Sequence, residues 1–182
     1  MNNCWDHGGR PFFHPHRIAT QAIKQNMRIR RYHESDHEEV WALHNVALRA
    51  ISGAHARNGP WDDDLRNVRD VYLEMGGEFL VGTQEGTIVA MGALKRLSAN
   101  RVEIKRMRVH PDFQRRGWGQ AILEKLETRA AELGHGTLQL DTTVQQIAAQ
   151  RLYVKNGYIE TGRTKMGAFD VILYEKTLST DD

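Results

Sequence analysis

Apolar and polar residues alternate from Met27 to Tyr32, and this period of two predicts an opening β-strand. Ser35 and Glu38 then have the Ser-x-x-Glu spacing of a capping box, so a helix is expected to start there. The apolar face of that helix is formed by Val40, Leu43, His44, Ala47 and Leu48. His44 is therefore expected to be a packed side chain rather than a catalytic base.

The middle of the chain changes from a helical to a strand-like pattern. After the break at Gly59-Pro60, apolar residues recur at helical intervals and predict a second helix that starts near Asp62. Two short apolar runs on either side of Glu85-Gly86 predict a hairpin. A strand over residues 102–109 follows, so we expect an antiparallel meander.

The last part of the pattern alternates between helix and strand. A helical apolar stripe starts at Trp118, and a short strand over residues 137–140 follows it, an order that implies parallel pairing with the strand before the helix. A further helix ends at Asn156-Gly157, and strands over residues 158–161 and 169–176 complete the pattern. The predicted class is α/β (α+β), with a mixed, mostly antiparallel sheet of about seven strands flanked by about four helices.

Length and charge restrict the class of protein further. The 182 residues suit one domain, which we place at residues 27–182 after an N-terminal extension, residues 1–26, expected to be flexible. A balance of 25 basic and 23 acidic residues argues against a nucleic-acid partner. The chain lacks an apolar run of membrane-spanning length and carries one cysteine, Cys4, so we predict no membrane partner and a cytoplasmic location. No metal site is predicted.

The segment from Gln114 to Gln120, Gln-Arg-Arg-Gly-Trp-Gly-Gln, lies where a predicted strand meets a predicted helix. Gly117 and Gly119 lack the Cβ atoms that would keep a pyrophosphate from the main chain, and the first helical turn from Trp118 offers unpaired N–H groups. Arg115 and Arg116 add positive charge. The segment has neither the Lys-Ser/Thr ending of a P-loop nor the third glycine of a Rossmann fingerprint, so a different phosphate ligand is implied.

Gln-Arg-Arg-Gly-Trp-Gly resembles the Arg/Gln-x-x-Gly-x-Gly/Ala acetyl-CoA signature of the GNAT superfamily, the general-control-type N-acetyltransferases. Residues 103–111 resemble that family's fourth strand, and residues 152–158 resemble its L-Y-x-x-x-G-F/Y element. The resemblance implies acetyl-CoA as co-substrate and a fourth and fifth strand that splay apart to admit the pantetheine arm. It also implies that the main chain of Met107 and Val109 pairs with pantetheine while the glycine segment binds pyrophosphate.

The same resemblance implies catalytic roles. Tyr153 matches the tyrosine that lies beside the CoA sulfur as general acid; the alternative is a packed core tyrosine. Glu103, eleven positions before Gln114, matches a glutamate that serves as general base; the alternative is a structural carboxylate paired with a neighbouring cation. Gln146 stands where the family often has an asparagine that helps to hold pantetheine, and its amide offers the same donors and acceptor.

The connection between the first two helices is expected to select the acceptor. It contains His55, Trp61 and Asp62. Trp61 and Asp62 suit a cationic amine, whereas capping of the next helix and compensation of its dipole in the first turn explain the aspartates as well and are the favoured account. His55 and Arg57 suit a carboxylate instead, so the acceptor is left open.

The expected activity is transfer of an acetyl group from acetyl-CoA to a primary amine of a small molecule or peptide, by direct attack in a ternary complex. The alternative is a catalytically silent sensor or interaction module that binds acetyl-CoA. A third and weaker interpretation, based on the basic residues in 101–116, is a nucleic-acid-binding module. A homodimer is also left open.

Overall fold

The computed structural model describes residues 27–52, 59 and 62–178. The predictions for the extension, residues 1–26, and for His55 and Trp61 lie outside the described residues. Seven strands form one sheet in the order β1-β2-β3-β4-β5-β7-β6. They are β1 Arg28–Arg31, β2 Glu78–Gln84, β3 Thr87–Arg96, β4 Arg101–Val109, β5 Thr137–Thr143, β6 Ile159–Met166 and β7 Phe169–Thr177.

The helices lie on both faces of this sheet. The α-helices of the described part of the chain are α1 His37–Ser52, α2 Asp63–Arg66, α3 Trp118–Glu132 and α4 Ile147–Lys155. One core cluster packs β-strand side chains against α3 and Tyr153 of α4, and a second packs the opposite face against α1, α2 and the segment after α2. No helix in the described ranges is both long and apolar enough to span a membrane. The predicted mixed α/β class is confirmed.

Sheet pairing follows the predicted order. β4 and β5 pair in parallel, and every other pair of neighbours is antiparallel. A parallel pair needs a crossover, and α3 supplies it. The prediction of a mostly antiparallel sheet with one parallel pairing is therefore confirmed.

Two helix boundaries differ from the prediction. The prediction of a capping box that starts at Ser35 is wrong. The box is formed by His33 and Asp36, where the N–H of His33 donates to Oδ2 of Asp36 at 2.8 Å, and α1 begins only at His37. The second predicted helix is divided into α2 and a single π-helical turn, Arg69–Leu73. In that turn Glu74 N bonds Arg69 O at 2.9 Å, a bond over five residues that widens the helix.

Candidate active site

The parallel pairing between β4 and β5 stops early. It covers only the pairs from Arg101↔Thr137 to Glu103↔Gln139, although β4 continues to Val109 and β5 to Thr143. Beyond these pairs the two strands part and leave what we call the β4–β5 gap, bounded by residues 104–109 and 140–143. The splay that the resemblance implied is therefore present.

A β-bulge lies in the part of β4 that borders the gap. Arg106 has a φ of 57°, and the β3–β4 register shifts beside it. Positive φ is uncommon outside glycine, so this conformation needs support from surrounding contacts. The extra residue breaks the alternation of β4 and re-aims the side chains that follow it.

Backbone groups of Met107 and Val109 face the gap. His110 N donates to β3 at 2.8 Å, so alternation along an antiparallel ladder directs the N–H groups of Met107 and Val109 away from β3. The carbonyl of Met107 accepts from Nη1 of Arg108 at 2.8 Å, and that of Val109 accepts from Nε2 of Gln114 at 3.2 Å. The two N–H groups are the ones left to pair with an extended ligand.

The loop before α3 presents a row of unbonded N–H groups. Within the described chain, no backbone N–H from residue 115 to residue 120 donates a backbone hydrogen bond, and the first helical bond runs from Ala121 N to Gly117 O at 3.0 Å. These donors lie at the positive end of a 15-residue helix. Such a set of convergent donors suits a phosphate or pyrophosphate.

The two glycines of this loop act differently. Gly117 has a φ of 83°, a conformation that glycine adopts readily, and a Cβ there would meet no atom within 4 Å. A Cβ on Gly119 would instead lie 3.7 Å from Leu152 and Val109, an ordinary packing distance. Gly117 therefore shapes the loop, whereas Gly119 lies against the core.

Several side chains predicted to bind the cofactor are engaged with the protein. Trp118 is buried and stacks on Phe113 with ring centroids 5.2 Å apart. Gln120 exchanges hydrogen bonds with the side chain of Asn156 at 2.5 and 3.0 Å. Only the backbone N–H groups of these two residues are available to a phosphate.

The two loop arginines differ in how firmly they are held. Arg116 donates to Asp112 O at 3.0 Å and covers the Phe113 ring at 5.0 Å. Arg115 is exposed and has a φ of 61°. Gln146, which precedes α4, accepts a hydrogen bond from Thr142 at 2.7 Å and makes no side-chain donation within the described chain.

Tyr153 of α4 is buried beside Tyr158 and Tyr174, and its hydroxyl bonds no residue that the structure describes. Burial raises the pKa of Tyr153 to about 12, while the charge of Arg108 lowers it and that of Asp141 raises it. The phenol is therefore protonated at neutral pH. It is a proton donor under the influence of one charged residue from each strand that borders the gap.

Two carboxylates lie on the sheet face opposite Tyr153. Glu103 is at the closed end of the gap, 3.4 Å from Nζ of Lys105. Asp141 of β5, which our sequence analysis missed, forms no ion pair within the described residues and influences Tyr153. Its position on a short strand twelve residues before Tyr153 was the available signal, but spacing alone did not show that the two groups lie close together.

Asp62 and Asp64 do not cap α2. Nη1 of Arg106 donates to Oδ1 of Asp62 at 2.8 Å, and Nε of Arg106 donates to Oδ2 of Asp64 at 2.8 Å. Although burial opposes ionisation of Asp64, hydrogen bonds from Arg106 and Tyr72 lower its pKa. The capping part of the favoured account is therefore wrong for these two residues, which pair with a cation 44 and 42 positions later. Asp64 does lie in the first turn of α2, where a carboxylate compensates the helix dipole.

His44 of α1 lies against this cluster and is fully buried, as the sequence predicted. Its Nε2 is 3.1 Å from Oδ1 of Asp62, yet neither ring nitrogen has a hydrogen bond of good geometry. Burial, followed by the charge of Arg108, lowers the pKa of His44 to about 4. The imidazole is neutral at physiological pH.

The family model described as Acetyltransferase (GNAT) family matches residues 40–158. This match covers more than half of the chain, which therefore belongs to that family. Within the described ranges, no group of three or more His, Cys, Asp or Glu side chains is arranged to hold a metal ion.

Relatives and a solved structure agree with this assignment. The chain is 35% identical over 85 residues to the IAA acetyltransferase of Azospirillum brasilense, covering 46% of this chain and 56% of that protein. It is 28% identical over 141 residues to the amino-acid acetyltransferase of Pseudomonas putida strain GB-1, covering 75% of this chain and 32% of that protein. The chain thus spans about half the length of the first relative and about a third of the length of the second.

An acetyltransferase from Salmonella typhimurium, solved with its cofactor acetyl-CoA, has the same fold with a TM-score of 0.69. The two sequences are 22% identical, and the match covers 86% of this chain and 96% of that one.

Proposed function

We propose that this protein is an N-acetyltransferase that moves an acetyl group from acetyl-CoA to a primary amine by direct attack in a ternary complex. The observation that carries the proposal is the meeting of three features at one place: the β4–β5 gap, the row of free N–H groups before α3, and the protonated phenol of Tyr153. An extended thioester with a pyrophosphate needs a slot, phosphate donors and a proton for the leaving sulfur.

The residues of the chain fit acetyl-CoA. The N–H groups of residues 115–120 bind the pyrophosphate, and those of Met107 and Val109 pair with the pantetheine arm. Gln146 contributes its amide N–H₂, since its carbonyl oxygen is already bonded to Thr142. Bound acetyl-CoA supplies the thioester that the amine attacks.

Tyr153 is the proposed general acid. Its pKa of about 12 keeps the proton on the phenol at neutral pH, although a thiol of pKa about 8.5 is the stronger acid. The positive charge of Arg108 reduces this mismatch because it stabilises the phenolate. Glu103 is the proposed general base for the acceptor amine, and Asp141 is the rival for that role because it lies near enough to influence Tyr153.

Two measurements on the purified protein test the proposal. Isothermal calorimetry measures acetyl-CoA binding, and a thiol-reactive dye follows free CoA while a panel of amines is supplied. Binding together with amine-dependent thiol release supports the enzyme. Binding without release for any amine would favour the alternative, a catalytically silent acetyl-CoA sensor, and absence of binding would exclude both. Cytoplasmic location, dimerisation and the lack of a nucleic-acid partner stay predictions.

A further inference from the structure

Arg108 is a cation at the gap that forms no ion pair with any described residue. Its Nε is buried and has no hydrogen-bond partner, and its Nη1 donates to the neutral carbonyl of Met107. No Asp or Glu of the described chain forms an ion pair with it. Burial, followed by the charge of Arg106, lowers the pKa of Arg108, so its surroundings disfavour the cation.

The carboxylates close enough to influence Arg108 form no ion pair with it. Asp62 bonds Arg106, and Asp141 acts on Arg108 through its charge alone. Burying a guanidinium costs free energy unless an anion and hydrogen bonds compensate it. No residue that the structure describes supplies either to Nε of Arg108.

A second polar group lies at this place. His44 is fully buried, its Nε2 is 3.1 Å from Oδ1 of Asp62 without good hydrogen-bond geometry, and Arg108 is close enough to lower its pKa. Arg108 also influences Tyr153. It therefore lies close to both the buried imidazole and the proposed general acid.

We propose that the guanidinium of Arg108 binds a carboxylate of the acceptor, so that the acceptor is an amino acid or a similarly compact amine with a carboxylate. This inference rests on the proposed function. A guanidinium offers two parallel N–H donors that match a carboxylate, and Nη2 of Arg108 has no hydrogen bond to a described residue. The pyrophosphate of CoA is not the anion in question, because its donors are the N–H groups before α3.

The distance between the two groups of the acceptor is limited. Its amine must react near Tyr153, and Arg108 is close enough to Tyr153 to alter its pKa. In this proposal amine and carboxylate belong to one small molecule. Asp141, without an ion-pair partner in the described chain and close to both side chains, complements the ammonium group of such an acceptor.

The test uses matched acceptors and matched variants of the full-length protein. The probes are the common L-amino acids, their α-amides and the corresponding decarboxylated amines, with thiol release as the readout. The parent should acetylate at least one acid with kcat/KM about ten- to a hundredfold above that of its amide, the range expected for a charged hydrogen bond. Arg108→Gln should remove this preference mainly by raising KM, with the Kd for acetyl-CoA unchanged.

Arg108→Lys should keep part of the preference, because it keeps the charge but not the paired donors. Arg163→Gln, which changes an exposed arginine of the edge strand β6, should leave every constant unchanged. Equal kcat/KM for acids and amides in the parent would overturn the inference. So would an Arg108→Gln variant that keeps the parent's acid-to-amide ratio and loses only kcat, equally on both kinds of acceptor, since that pattern indicates an effect through Tyr153 alone.

If Arg108→Gln does not fold, the acid-to-amide ratio of the parent and of Arg108→Lys decides. Bound acetyl-CoA without transfer to any probe would overturn the proposed function and this inference with it. Transfer to amides and decarboxylated amines alone would overturn the inference and leave the proposed function standing.

Discussion

Nη1 of Arg106 donates a hydrogen bond to Oδ1 of Asp62 at 2.8 Å and thereby joins the bulge of β4 to the start of α2. Nε and Nη2 of the same guanidinium bond Asp64. The side chains of Arg106, Asp62 and Asp64 are 7%, 9% and 15% exposed, so these three charged groups are almost completely shielded from water. The left-handed conformation of Arg106 and the position of α2 therefore depend on each other.

Replacing Arg106 with methionine should destabilise the fold strongly. The change leaves two buried carboxylates without their cation, and breaking a buried pair typically costs about 3–5 kcal/mol. Urea denaturation followed by circular dichroism measures the free energy of unfolding. The control is Arg66→Met, which breaks the exposed pair with Asp63 and should cost less than about 1 kcal/mol. Equal losses for the two variants would contradict the argument.

His44 should make the protein sensitive to mild acid. Its pKa is about 4 in the fold and 6.5 in the reference state, so the unfolded chain binds the proton first as the pH falls. Stability should therefore decrease from about pH 6.5 to about pH 4, by about 3 kcal/mol in total. Asp62 opposes this shift, whereas Arg106 and Arg108 support it.

Urea titrations at pH 7 and pH 4.5 of the parent and of His44→Gln check this expectation. The variant should lose most of the difference between the two pH values, whatever its stability at pH 7. The carboxyl groups of Asp36 and Asp64 have pKa values below the usual 3.8 and titrate below this window. A parent whose stability is the same at both pH values would contradict the burial argument for His44.

Periodicity along the chain was sufficient to predict the strands, their mixed order and the burial of His44, because each depends on local alternation of apolar residues. It was not sufficient for the acidic residues at the start of α2. Asp62 and Asp64 occupy good capping positions, but Arg106 competes for their carboxylates from 44 and 42 positions away. A partner at that distance has no signal in a single sequence.

The candidate active site also has features that the sequence predicted and features that it did not. The glycine segment predicted a phosphate loop, and the free N–H groups of residues 115–120 agree with it. The sequence did not reveal that Trp118 and Gln120 use their side chains for packing and for Asn156. Nor did it single out Arg108 or Asp141, because their lack of partners becomes visible only when both strands of the gap are in place.

Substitution of Gly117 with valine should weaken acetyl-CoA binding at least tenfold. A β-branched residue does not tolerate the φ of 83°, so the loop moves and loses hydrogen bonds to phosphate that contribute about 1.5–3 kcal/mol each. Gly86→Val is the matched control, because Gly86 has a φ of 84° and equally open surroundings in the β2–β3 turn. Calorimetry should show normal affinity for the control. Equal affinities for both variants would mean that the loop is not the phosphate site.

Replacing Tyr153 with phenylalanine should lower kcat by about 10²–10⁴, the usual loss when a general acid is removed. The Kd for acetyl-CoA should stay the same because the ring remains. Tyr158→Phe is the control: Tyr158 lies in the same aromatic cluster, 5.7 Å away between ring centroids, and its hydroxyl is buried without a partner. Turnover that is unchanged in Tyr153→Phe, while chemistry limits the rate, would return Tyr153 to a packing role.

Glu103 and Asp141 can be distinguished by the pH dependence of turnover. The acceptor amine must lose a proton before or during attack, and the carboxylate that takes it is essential only while the amine is charged. Removal of the true base, by Glu103→Gln or by Asp141→Asn, should therefore lower turnover at neutral pH and allow partial recovery at high pH. The other substitution should at most scale the profile without changing its shape.

Glu103 and Asp141 differ in what holds their carboxylates. Glu103 lies at the closed end of the gap with Lys105 at 3.4 Å, so it reaches the amine only by leaving this partner or by orienting a water molecule. Lys105→Met removes the partner and should raise turnover at neutral pH if Glu103 is the base. Asp141 needs no such release, and its influence on the pKa of Tyr153 places it near the proposed acid. A profile altered by Asp141→Asn and unaffected by both Glu103→Gln and Lys105→Met would assign the base to β5 and leave Glu103 as a structural carboxylate of β4.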